Sequence, residues 1–502
     1  MESRVKIILN NENVRFLIYL IIAFIIFSPS FSNLSFFWDD ERFIFLNPDF
    51  LNSPSWTHFW NPKTVFYKSW SLGYTIFWFL VKTFPAAGFV TYKSLNIIFH
   101  ALNGYLTYRF IKKLTIPYPY IISMLFLIHP LHVESVSWIF QLMTILSYTF
   151  FISSLINFYN FIDTGFKKHI IWTFIFFLAS LLTKSIALLI PFVFLIILII
   201  QKVKLKAYLF LVPFFISSLY LGLVNNKGTE ILLNEKSSLS SLVLVNIQKI
   251  FTPITQSKIQ SQGKIPNTEN DYFNFIFKKR HDQNPIKFNR GEIFSQGIWY
   301  YTYSAILPIN LQYIHKSEST NAIFVILSLF FLIILPVILS RNFKDRYFLH
   351  IPLFASALLL PYLGISFITF FYWSNVSDRY TYYFILVFIF LLGLFLKHVH
   401  IKYAKFFIIF YILILSAINL NYGMKFNNNV LLYEEILTYK AHPGLYSLLI
   451  EQYIQKLDYK NANRTLEDGL KKFPEDENLK IDAERVNNLK KFYNQFEPNK
   501  PQ

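Results

Sequence analysis

The sequence predicts an all-α fold: a polytopic membrane helix bundle carrying a short polar helical unit at its C-terminal end. Three observations lead there. Of the 502 residues, 54% are hydrophobic and only 15% are charged, against about 25% charged in ordinary soluble chains, and the mean hydropathy is +0.39. The apolar residues fall in unbroken blocks, as at Val14 to Phe31, Phe174 to Ile200, Ile323 to Leu339 and Phe406 to Leu420. About 20 such residues in a helix cross the roughly 30 Å hydrocarbon core. Lipid gives an open backbone no hydrogen-bond partner, so blocks of this kind are helices. The third observation is where the charge sits.

The formal net charge of +18 would suit nucleic acid if the basic residues formed one face. Instead they cluster between apolar blocks: Arg109, Lys112 and Lys113; Lys167 and Lys168; Lys202, Lys204 and Lys206; Arg341, Lys344 and Arg346; Lys397, Lys402 and Lys405. The alternate turns, around His132 to Trp138 and Tyr372 to Asp378, carry no Lys or Arg. That is the positive-inside pattern, and it argues against a nucleic-acid partner. It puts the clusters and the N-terminal Arg4 and Lys6 in the cytoplasm. About eleven crossings follow, near residues 14–31, 88–111, 117–133, 138–160, 169–184, 185–200, 205–224, 321–340, 348–371, 380–397 and 403–422. The first block has no small-residue cleavage site and reads as a retained signal anchor. The odd span number sends the C-terminus out.

Within a transmembrane domain of residues 1–425, two long segments then lie outside. The first, 32–87, holds Asp39, Asp40 and an aromatic amphipathic run from Trp70 to Phe84. The second, 225–320, is polar and basic, with a stretch from Ile293 to Leu311 apolar enough to lie in the interface. The chain changes character in residues 426–502, which are polar and helical in period. Counting from Pro443, the residues Tyr446, Leu449, Tyr453, Ala462, Leu466, Gly469 and Pro474 fit one tetratricopeptide unit of about 34 residues. Half a repeat precedes it at Val430 to Lys440, and a capping helix follows from Glu475. So few repeats seldom stand alone, so the unit is expected to dock on the membrane domain.

Four groups of residues could carry chemistry. Asp39 and Asp40 follow the interfacial Trp38 at the outer end of the first span. Paired carboxylates there suit a general base taking a proton from a hydroxyl, a divalent cation such as Mg or Mn, or an acidic turn that caps a helix. Arg379 is the one cation of its outer turn. Its fork fits a phosphate or carboxylate, a salt bridge to Asp378, or a snorkelling position. Lys184 is a lone outer cation between apolar spans, a position that implies function by default. In the run His129-Pro130-Leu131-His132-Val133-Glu134, His132 and Glu134 could bind metal, but Pro130 breaks the helical spacing of the histidines. Orienting loops or touching a lipid phosphate suits His129, His132 and Glu134 better. No glycine-rich phosphate loop is present, which speaks against a soluble nucleotide donor. With no cysteine in the chain, disulfides and thiolate metal sites are excluded.

Seven strings, in order along nearly the whole chain, carry a resemblance: WDDERFIFLNP, KSLNIIFHALNGYL, HPLHVESVSWI, LLTKSIALLIPFV, NPIKFNRGEIFSQGIWYY, SDRYTYY and YEEILTYKAHP. Together they are similar to the transmembrane and tetratricopeptide-repeat protein O-mannosyltransferases and their bacterial relatives. These are multi-span glycosyltransferases with polyprenyl-phosphate sugar donors. The resemblance implies Asp39 as general base, Asp40 supporting it or helping to hold a metal, and Arg379 and Lys184 beside the donor phosphate. It implies single displacement with inversion onto hydroxyls of extracytoplasmic protein acceptors. Three positions depart from the family pattern: Ser185 where an acidic residue is frequent, Gln141 where a basic one is, and Lys68 in place of an arginine. Two other readings are expected to be tested against it: transfer to a lipid or surface glycan, and a non-enzymatic lipid-linked-sugar transporter. A transporter would show paired halves with interrupted helices, which the sequence lacks. The sequon Asn375-Val376-Ser377 lies beside Arg379, where a glycan would crowd the site, and this favours a bacterial plasma membrane.

Overall fold

The computed structural model describes residues 11–33, 37, 40, 44, 55–61, 70–84, 89–233, 289–364, 368–399 and 401–496. Among them every regular element is helical and no strand occurs. From the N-terminus these are α1 (Glu12–Phe27), α2 (Ser71–Thr83), α3 (Phe89–Lys113), α4 (Pro119–Leu127), α5 (Val133–Ser137), α6 (Leu142–Thr164) and α7 (Lys167–Thr183). Then come α8 (Ile190–Ile200), α9 (Val212–Leu233), α10 (Arg290–Ile306), α11 (Ala322–Leu329), α12 (Leu335–Phe343), α13 (His350–Leu359), α14 (Ile385–His398) and α15 (Ala404–Lys425). Four polar helices close the chain: α16 (Asn429–Tyr439), α17 (Pro443–Gln455), α18 (Tyr459–Lys472) and α19 (Glu477–Phe496).

Five stretches are long and apolar enough to cross a membrane: Glu12–Ser32, Ile139–Thr164, Leu205–Val224, Ala322–Phe343 and Ala404–Lys425. A bent pair, Pro119–Leu127 with Pro130–Ser137, makes a sixth if counted as one span. The sequence reading expected about eleven, and the difference has physical causes. The segment 185–200 opens as a 3-10 turn over Ser185–Leu189, and Pro191 admits α-helix only from Ile190. The segment 348–371 stops its α-helix at Leu359, before Pro361 and the left-handed Gly364. Proline has no N–H for the ladder and suits only the first helical turn. At His129-Pro130 the chain bends by 46°. The long helix α3 holds Lys93, Asn96, His100 and Asn103 on its buried face, so it is less apolar than a lipid-facing span.

The bundle is built around α6, whose span is 83% buried and which packs on α7 and α3. The peripheral spans turn their apolar faces outward: Ile323, Ile326, Phe406 and Leu413 are each more than 60% exposed. In water such a surface would aggregate, whereas hydrocarbon accommodates it. Lys93, at the start of α3, donates to Ser30 O (2.6 Å) and Asn33 O (2.8 Å) at the end of the first span. Lys113, at the other end of α3, pairs with Asp163 at 2.6 Å. Twenty residues of helix rise separate the two lysines by about 30 Å. Around the Lys113 end gather Lys112 with Glu12, Arg346 with Ile200 O, Lys397 with Asp345 and Lys405 over the Tyr118 ring. The basic clusters therefore meet at one end of the bundle.

The opposite end carries the C-terminal helices. Asn33 Nδ2 donates to Asn429 Oδ1 (2.6 Å) and Phe426 O (3.0 Å), Phe37 stacks on Tyr433, and Tyr439 donates its hydroxyl to Ile314 O. Lys440 donates to Trp373 O, whose indole also lies 4.1 Å from the His442 ring. Inside the unit Tyr446, Leu449, Ala462 and Leu466 are buried. A Cβ at Gly469 would lie 3.1 Å from the Tyr446 ring, so helices α17 and α18 approach closely there.

Candidate functional site

The site is assembled around one short turn. Between α5 and α6 the chain passes through Trp138 and a 3-10 turn, Ile139–Gln141. Asn96 of α3 holds this turn by donating to Val136 O (3.2 Å) and Trp138 O (2.8 Å). Asp40 reaches it from the first loop. Its Oδ1 accepts the Phe140 N–H at 2.9 Å and its Oδ2 accepts the Phe37 N–H at 3.2 Å, and the residue is 1% exposed. A carboxylate bound to backbone N–H groups satisfies donors at the start of a turn. Asp40 therefore ties the first loop to the turn. No group of three His, Asp or Glu arranged to hold a metal occurs among the described residues. Asp39 and Lys68 lie outside them.

Lys184 arrives from the break between α7 and α8. It donates to Gln141 Oε1 (3.2 Å) and to Thr144 Oγ1. The neighbouring Ser185 accepts the Trp70 indole N–H at 2.7 Å, tying the break to the first-loop helix α2. Gln141 supplies an acceptor to Lys184, where a basic side chain would repel it.

Arg379 arrives from the 3-10 turn Asp378–Thr381. The sequence offered Asp378 as its salt-bridge partner, and the structure corrects this: the ion pair is with Glu134. Glu134 Oε2 also accepts the Arg379 N–H at 2.9 Å and the Ser377 hydroxyl at 3.1 Å. The guanidinium lies 3.9 Å from the Phe370 ring centre and within 5.2 Å of Trp138. Adjacent side chains at 378 and 379 project differently, so Asp378 faces away from its neighbour. Of the Arg379 fork only Nη1 is engaged, and Nε and Nη2 make no hydrogen bond to the described residues. Lys184 is close enough to Arg379 and Glu134 for both charges to act on it.

Asp378 organises a second buried set. It accepts hydrogen bonds from Tyr300, from Tyr422 (2.8 Å) and from His315 Nε2 (3.0 Å). The sequence reading missed His315, Tyr300 and Tyr422; the weak signal was a lone histidine in an aromatic run, Tyr313-Ile314-His315. It also missed Lys93, a cation inside an apolar span, which by rule deserved notice.

The histidines of the HPLH run are both fully buried. His129 Nδ1 accepts the Leu131 N–H, so its proton sits on Nε2, which meets Ala305 O at 3.2 Å. His132 is packed among the rings of Phe126, Tyr382 and His100. His100 joins Tyr382 (2.7 Å) to Leu127 O (2.8 Å). A carbonyl only accepts, so the His100 proton is on Nε2. These rings lock the bend at Pro130, and that bend delivers Glu134 to Arg379.

Asp40, Glu134, Lys184 and Arg379 thus meet on one turn, with Asp378 beside it. Comparison with family models, with characterised proteins and with solved structures finds no match to this chain.

Proposed function

We propose that the chain is a membrane glycosyltransferase. It moves a sugar, mannose in the family it resembles, from a polyprenyl-phosphate donor to hydroxyl groups of extracytoplasmic proteins. The observation that carries this reading is the half-used fork of Arg379. It sits within electrostatic reach of Lys184 and on the same turn as the first-loop acid Asp40. Lys184 and the unengaged edge of the Arg379 fork are donors suited to a leaving phosphate whose charge grows in the transition state. The acceptor oxygen attacks the anomeric carbon, the bond to the phosphate oxygen breaks, and Asp39 takes the hydroxyl proton. A single displacement inverts the anomeric centre. Asp40 holds the loop that carries Asp39.

In this reading α3, α7 and α13, with the shorter apolar helices Ser185–Ile200 and Ile385–His398, bring the six candidate spans to about eleven crossings. The basic end faces the cytoplasm, and the site and the docked helices α16 to α19 face outward. Residues 426–502 then act as a tetratricopeptide-like unit presenting the acceptor, in a bacterial plasma membrane. The docking of that unit beside the site favours a protein acceptor over a lipid or glycan.

The test is reconstitution in nanodiscs with polyprenyl-phosphate mannose or with a nucleotide sugar. Transfer from the lipid donor alone, with an inverted product by NMR, is expected. Transfer from the nucleotide sugar alone would defeat the reading.

A further inference from the structure

A cleft of about 360 Å³ opens between α10, the segment 307–321 and the start of α11. Its size falls within the roughly 300–1,000 Å³ of small-molecule sites. Trp299, Tyr300 and Tyr303 of α10 line one side, and Asn310, Gln312 and His315 line the other. The indole of Trp299 is fixed by stacking on Phe324, with ring centres 4.5 Å apart. The cleft carries little charge of its own, because Lys316 and Glu318 at its rim pair with each other at 3.0 Å. Its polar groups are unspent: the side chains of Asn310 and Gln312, the Tyr303 hydroxyl and the Trp299 N–H make no hydrogen bond among the described residues. His315 meets Asp378 through Nε2, which orients the ring and leaves Nδ1 without a hydrogen bond among the described residues.

Rigid aromatic faces beside free amides and an oriented imidazole, without net charge, match one ligand chemistry. A pyranose has an apolar C–H face that packs on the electron-rich face of an aromatic ring. Its hydroxyls both donate and accept, as do amide side chains. An anion would find no unpaired cation among the described residues that line the cleft, and an apolar ligand would strand the amides. We infer that this cleft is a subsite for a neutral pyranose, with Trp299 as its stacking surface and Gln312 and His315 as hydroxyl partners. Through Asp378, which touches Tyr300 and His315 and precedes Arg379 in the chain, the subsite adjoins the proposed phosphate site. The inference rests on the transferase reading only for its source: the sugar belongs either to the lipid donor or to an acceptor that already carries one.

The test uses the full chain in nanodiscs, free of glycoside detergents, with methyl α-mannopyranoside and methyl β-glucopyranoside as probes. Saturation-transfer NMR reads binding without turnover. At least one probe should show saturated ring protons. Its affinity should fall roughly tenfold in Gln312→Ala, the effect of one lost hydrogen bond, and further in Trp299→Leu, with thermal unfolding unchanged in Gln312→Ala. Polyprenyl-phosphate mannose should abolish the signal if the subsite takes the donor sugar, and should leave it intact if it takes an acceptor sugar. Absence of saturation for both probes, or equal binding by wild type, Gln312→Ala and Trp299→Leu, overturns the inference. Binding without sugar transfer would keep the subsite and remove the transferase reading. Transfer with unaltered kinetics in both variants would do the reverse.

Discussion

Glu134 and Arg379, 245 residues apart in sequence, form an ion pair in which the carboxylate is fully buried and the arginine 7% exposed. Glu134 also accepts the Arg379 backbone N–H, so it fixes both the charge and the turn that carries it. Removing one member of such a pair leaves the other charge buried, at a cost of about 3–5 kcal/mol. Glu134→Ala should therefore lower the thermal unfolding temperature in nanodiscs substantially. The double replacement Glu134→Leu with Arg379→Met should recover most of that stability and none of the donor binding. A stable Glu134→Ala protein would mean that the pair is not formed.

Lys184 should act on donor affinity. Its ammonium is held by Gln141 and Thr144, so the side chain is positioned before any ligand arrives. A charge-assisted bond to phosphate is worth about 1.5–3 kcal/mol. Lys184→Ala should weaken binding of polyprenyl-phosphate sugar about ten- to a hundredfold, measured by titration in nanodiscs. Gln141→Ala should give a smaller loss, since it removes only a support. Unchanged donor affinity in Lys184→Ala would take this residue out of the site.

Much of this architecture was readable from local sequence, and the remainder was not for a definite reason. The apolar block at Val14 to Phe31 and the break at Lys184-Ser185 stand in the structure where the residues put them, because hydropathy and helix interruption are local. Span number is harder to read, since Pro191 and Pro361 shorten helices whose composition alone reads as continuous. A salt bridge to Asp378 was one of the alternatives for Arg379, on nearness in sequence, although the ion pair is with Glu134. Glu134 reaches Arg379 only because the chain bends at Pro130. His315 acquires its setting from Asp378, Tyr300 and Tyr422, three distant positions that no local pattern connects.

The docking of the C-terminal helices depends on a small residue. A Cβ at Gly444 would overlap the Trp373 ring, and overpacking of this kind costs about 1–3 kcal/mol. Gly444→Val should expose the link between α15 and α16 to limited proteolysis and lower transfer to protein acceptors. Donor binding should be unchanged, as Arg379 and Lys184 lie elsewhere. Protection equal to wild type would show that this contact does not hold the unit in place.

The proposed sidedness rests on the gathering of basic residues at the end of the bundle away from Lys93. Alkaline phosphatase fused after Asn429 should be active, and green fluorescent protein fused there should stay dark. The reverse pattern would put the docked helices in the cytoplasm and remove their role with extracytoplasmic acceptors.

The central claim is that the first loop activates an acceptor hydroxyl beside a bound lipid phosphate. Its most direct test is transfer of labelled sugar from polyprenyl phosphate to an acceptor protein by wild-type chain and by Asp39→Asn, with donor binding followed separately. A general base contributes roughly 10²–10⁴-fold to rate. The account predicts a loss of that size in Asp39→Asn with donor affinity intact. Equal turnover by the two proteins would contradict it.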